Sequence, residues 1–146
     1  MRRRKKTSKL KIALAIVSVS AAVYLFTQRL NPQVGVLNAA LETSASPALH
    51  SYAYHFKVLS VNEKGIVTLS TPRSPDMPIY RMISAIDPNL SGKNPNDPDF
   101  VHAEQQINDM QTQAAQIILM QPGIHGIKWQ LDKNWLSEHG ISTVQP

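Results

Sequence analysis

The sequence predicts an α+β protein in which an N-terminal single transmembrane helix is followed by a small domain. In that domain an antiparallel hairpin or sheet packs on one long helix. Three observations predict this class. Residues 12–28 form an uncharged, predominantly apolar run behind a basic flank. Residues 52–58 alternate apolar with small or polar side chains, the period of a half-buried strand. Residues 98–120 repeat apolar side chains at three- and four-residue spacing, the period of an amphipathic helix.

As a helix the uncharged run covers roughly 25 Å, slightly short of the ~30 Å hydrocarbon core. Lys11 and Arg29 close the gap by snorkelling. Seven Lys or Arg and no acid precede the run, which keeps the N-terminus in the cytoplasm and sends the remainder across. A cleaved signal peptide is the rival reading. Ser18-Val19-Ser20 has the small-residue spacing for cleavage, but cutting there leaves Val23 to Phe26 as an apolar stub. An uncleaved anchor is therefore expected. The resulting order is a basic tail (1–11), a transmembrane anchor (12–28), a juxtamembrane linker (29–50) and an extracytoplasmic domain (51–141).

The net charge of +5 belongs to the tail. From Arg29 onward eight Lys or Arg meet ten Asp or Glu, so the domain is slightly acidic. No basic patch with interleaved aromatics follows Arg29, and nucleic acid is not an expected partner. The chain has no cysteine, which excludes disulfides, thiolate metal sites and Cys nucleophiles.

Asn31-Pro32 ends the anchor helix, and a short juxtamembrane helix around residues 36–42 precedes a Ser-rich spacer. Tyr52, Tyr54, Phe56 and Val58 then share one strand face. Asn62-Glu63-Lys64-Gly65 turns the chain into a second strand at residues 66–70. Residues 79–85 read as a third strand, and residues 87–97, rich in Pro and Asn, as a loop. Asp97 caps the long helix, Pro98 suits its first turn, and Pro122-Gly123 stops it. Its buried stripe is Phe100, Ala103, Ile107, Met110, Ala114, Ile117 and Ile118. Residues 124–131 read as a fourth strand, and residues 133–139 as a short helix closed by Gly140.

Val61 to Ser70 resembles the hairpin of periplasmic BON domains, and the junction Pro122-Gly123-Ile124-His125-Gly126-Ile127 is similar to the helix-to-strand junction there. The likeness covers two short stretches. A comparable first helix is missing and a Pro-rich insertion separates the pieces, so no binding function carries over.

Catalytic chemistry finds no motif. His50, His55, His102, His125 and His139 form no paired spacing for a metal, and nucleophile elbows, phosphate loops and dinucleotide fingerprints are missing. No cofactor is implied. The expected function is a non-enzymatic interaction module in the periplasm, anchored in the inner membrane and working with a protein partner in an envelope complex. The alternative is a periplasmic ligand- or lipid-binding module. The candidate interaction residues are Trp129 and Trp135, whose large apolar area carries a polar handle. Gln105, Gln113 and Gln116 join them, on an amide-rich helix face that is cheaper to desolvate than a charged one.

Residues 1–30 are expected to remain in the mature protein, which should stay with membranes through carbonate washing. N-terminal sequencing that begins near Ala21 would overturn this topology.

Overall fold

The computed structural model describes residues 32–75 and 77–142. The expected tail and transmembrane helix lie outside the described residues, and among the described residues no helix is long and apolar enough to cross a membrane. What is described is a small α+β domain with a three-stranded mixed sheet. The expectation of an antiparallel sheet behind a membrane helix is corrected to that statement.

Residues 32–44 form a helix, α1, and Pro47–His50 a single turn, α2. The segment read as a linker therefore has structure of its own. Leu37 and Leu41, one helical turn apart, are buried together with Leu49. The Ser46 side chain caps α2 by accepting from the Leu49 N–H at 3.2 Å.

Tyr52, Tyr54, Phe56 and Val58 are buried while Ala53, His55 and Lys57 are exposed, as the period of two requires. Ladder pairing begins only at Val58. The hairpin consists of β1 (Val58–Val61) and β2 (Ile66–Thr71), antiparallel. Asn62 holds its turn, its side-chain oxygen accepting from the N–H groups of Lys64 and Ile66. Gly65 takes φ +69°, and a Cβ there would overlap the Gly123 carbonyl oxygen, so the position needs glycine on two counts.

The expected third strand is a helix, α3 (Ile79–Ile86). Met82 and Ile83 are buried, and Ile79 and Ile86 pack against the core. That is the spacing of a helix face, and it outweighs the local β preference of isoleucine. A 3-10 turn, Pro88–Leu90, anchors the next loop by burying Leu90. The long helix α4 is Pro98–Leu119, with the Asp97 side chain accepting from the Asp99 N–H at 3.0 Å. All of its expected stripe is buried except Ala103, which is half-buried. The chain then forms β3 (Gly126–Leu131) and α5 (Lys133–Glu138), which Asp132 caps through the Trp135 N–H at 3.0 Å.

Because residues 79–85 are not a strand, the regular elements between β2 and β3 among the described residues are all helical. This connection brings β3 back in the same direction, and the two strands pair in parallel. The sheet order is β1-β2-β3. One sheet face, with Val67 and Leu69 at 0 % exposure, packs on the helices; on the other, Ser60, Lys128 and Gln130 are exposed.

Ile107 is 0 % exposed in the middle of the α4 stripe. Ile107→Asp should cost several kcal/mol, against the roughly 5–15 kcal/mol that holds a domain of this size together. Its thermal transition should fall sharply or vanish; an unchanged transition would show that the stripe is not core.

Candidate functional site

A three-stranded sheet has two edges, and this chain treats them differently. At the β1 edge the Asn38 side chain of α1 stands in for a neighbouring strand. Its Oδ1 accepts from the Val58 N–H at 2.8 Å, and its Nδ2 donates to the Val58 carbonyl at 3.1 Å. A β-bulge lies directly beyond, where Leu59 and Ser60 together face Thr68. A side-chain cap and a bulge are both devices that blunt an edge against pairing.

The β3 edge has neither device among the described residues. Its register with β2 runs without a break from Gly126 to Leu131. The phase of its hydrogen bonds follows from β2. The Ser70 N–H donates to the Lys57 carbonyl at 2.9 Å and the Ile66 carbonyl accepts from Asn62 at 3.0 Å, so Ile66, Thr68 and Ser70 turn their main-chain groups to β1. Val67, Leu69 and Thr71 therefore turn theirs to β3. The Asp132 N–H donates to the Thr71 carbonyl at 2.8 Å, which sets the alternation on the other side. Gly126, Lys128 and Gln130 bond to β2, leaving the N–H and C=O of Ile127, Trp129 and Leu131 directed outward. No residue of β3 is fully buried, and these three are each half-buried.

Behind this edge lies a chain of rings. Trp129 meets Phe56 edge-on with centroids 6.2 Å apart, Phe56 meets Tyr54 at 5.0 Å, and Tyr54 meets Trp135 at 5.2 Å. His139 stacks on the outer side of Trp135 at 3.9 Å. Edge-on contacts are a favoured geometry for aromatic rings, and three of them in sequence make a stiff support. The Tyr54 hydroxyl donates to Asp132 at 3.3 Å, so the cap of α5 is tied to the core. Burial pushes the Tyr54 hydroxyl well up from its ordinary pKa and that of Tyr52 up to about 12. Both stay neutral donors at physiological pH.

The five candidate residues separate accordingly. Trp129 and Trp135 are half-buried and joined through Phe56 and Tyr54. Gln113 is turned inward, its Oε1 accepting from the Ser46 hydroxyl at 2.7 Å, and so serves the packing of α2 on α4. Gln105 and Gln116 are exposed on α4. Sequence reasoning missed Ile127 and Leu131 as outward-facing edge residues. It also missed Asn38, although a lone carboxamide one position from a buried leucine was a visible signal.

Two open grooves flank the domain. One, of about 470 Å³, lies between α1, α2 and β1, with Leu41, Leu49 and Phe56 in its lining and His50, His55 and Lys57 around it. The other, of about 780 Å³, lies between α3 and the segment after α5, and includes Tyr80, Arg81 and His139. Among the described residues no group of His, Cys, Asp or Glu is placed to hold a metal ion. No family model, curated protein or solved structure matches the chain.

The alternation along β3 makes opposite demands on neighbouring positions. Gln130→Pro removes an N–H that bonds to β2 and should cost about 2–4 kcal/mol. Leu131→Pro removes only an outward N–H and should cost no more than about 1.5 kcal/mol. Thermal melting of the two full-length variants in detergent checks the order; equal losses would show that the phase is misassigned.

Proposed function

We propose that this chain is a non-enzymatic interaction module, held at the inner membrane by residues 12–28, that receives an extended segment of a protein partner along the open edge of β3. The observation that carries the reading is the contrast between the two sheet edges. Asn38 and a bulge close β1, while β3 offers unpaired main-chain groups on Ile127, Trp129 and Leu131. A strand added there gains affinity from main-chain hydrogen bonds and selectivity from alternate side chains. The half-buried Ile127, Trp129 and Leu131 supply apolar surface that such a strand would cover. Membrane attachment rests on the uncharged run and its basic flank. On that topology the domain and its partner belong to the cell envelope.

A ligand- or lipid-binding module is the second reading, favoured by the 470 Å³ groove with His50, His55 and Lys57 around it. It ranks below the first because Leu41, Leu49 and Phe56 in the lining are each buried, which leaves Leu59 as the one large apolar side chain exposed there.

The test is capture from membranes by the tagged full-length chain after in-cell crosslinking. Leu131→Pro should reduce recovery of the bound protein at least about tenfold, equivalent to ~1.4 kcal/mol, while its melting temperature stays close to wild type. Equal recovery by both chains would overturn the reading.

A further inference from the structure

We infer that the strand received at the β3 edge is β3 of a second copy, antiparallel and centred on Trp129. This rests on the open-edge reading and names its occupant. An interface between identical chains related by a two-fold axis must be self-complementary, because residue i meets j wherever j meets i. The residue order along β3 meets that requirement. Ile127, Lys128, Trp129, Gln130 and Leu131 run apolar, polar, Trp, polar, apolar, and the order is the same when the strand is turned end for end.

The register follows from the phase of the hydrogen bonds. Antiparallel partners must present outward-facing residues to outward-facing residues, so Ile127, Trp129 and Leu131 of one copy meet the same set in the other. With Trp129 at the axis, Ile127 pairs with Leu131 and every outward N–H and C=O of the three residues finds a partner. Lys128 stands opposite Gln130. Moving the axis to Lys128 sets lysine directly opposite lysine, which is destabilising. Moving it to Gln130 carries Ile127 past the end of the strand, opposite Lys133. The Trp129 register alone keeps both the overlap and the charge pattern. In it the two three-stranded sheets become one, with the blunted β1 edges at its outer ends.

The chain lacks cysteine, so introduced thiols report without background. In an antiparallel pair centred on Trp129, positions 128 and 130 of opposite copies form the non-hydrogen-bonded pair, with Cα atoms about 4.5 Å apart. That spacing is within disulfide reach, whereas position 128 lies a diagonal away from its own counterpart and outside it. Two differently tagged full-length chains would be co-expressed, one carrying Lys128→Cys and the other Gln130→Cys, and oxidised in membranes. The expected result is a mixed covalent dimer, reduced at least tenfold when both chains also carry Leu131→Pro. Lys128→Cys alone and Gln105→Cys alone, the latter reporting random collision, should each give far less. Absence of the mixed dimer, equal crosslinking by Lys128→Cys alone, or indifference to Leu131→Pro would each overturn the inference. Should the mixed dimer be absent while Leu131→Pro still loses a captured protein, the second copy is wrong as occupant and the open edge stands. Should both experiments fail, the edge reading falls with it.

Discussion

β2 hydrogen-bonds along both of its sides, and the rest of the domain is arranged so that it can. The hairpin supplies its antiparallel neighbour across a short turn. The parallel neighbour cannot be reached that way, so the chain must leave the sheet, cross one face and return. Helices α3 and α4 are that crossing. The apolar stripe of α4 packs toward β2, where Val67 and Leu69 have 0 % exposure, and α3 packs in turn against α4. Gly65 and Gly123 sit where hairpin and return path touch, and the His125 N–H donates to the Gly65 carbonyl at 2.9 Å to start the alignment.

The polar groups drawn into this arrangement are matched. Ser70 is buried on β2 and accepts from the Lys57 N–H, which extends the pairing past the end of β1. Thr71, also buried, accepts from the Arg73 N–H and from the Gln111 side chain, while its carbonyl receives Asp132. Among the described residues no buried side-chain nitrogen or oxygen lacks a partner. An unmatched group would cost about 1–3 kcal/mol, so this completeness fixes one arrangement of strands and helices over its neighbours.

Local patterns were legible in the sequence. The alternation from Tyr52 to Val58, the turn at Gly65, the Asp97 cap and the α4 stripe each rest on residues close together in the chain. Residues 79–85 misled because Ile79, Ile83 and Tyr80 suit a strand by composition, while the helical spacing of Ile79, Met82, Ile83 and Ile86 shows only when one face is counted. That error also hid the parallel pairing, since strand direction depends on what lies between. The use of residues 36–49 as core was hidden by the Ser-rich stretch that interrupts them. Of the candidate site, the importance of Trp129 and Trp135 could be read, but the edge could not. Which N–H groups point outward is decided by hydrogen bonds from Asn62, Ser70 and Asp132, and nothing local announces them.

Asn38 carries a consequence for how far assembly can go. Its carboxamide occupies both main-chain groups of Val58, so one flank of the sheet is closed to addition while the other is open. A sheet with a single open flank terminates: whatever pairs with β3, the stack cannot extend beyond it on the β1 side. Deamidation of Asn38 exchanges an NH₂ for an oxygen, and the carboxylate then faces the Val58 and Val34 carbonyls that the amide had served. With no proton left to share, repulsion between the carboxylate and the partial negative charge of these carbonyl oxygens would drive the side chain off the strand. The β1 flank would then rely on the bulge at Leu59 and Ser60 alone to resist the pairing of a further strand. One amide nitrogen thus carries a share of what keeps this flank of the sheet from growing.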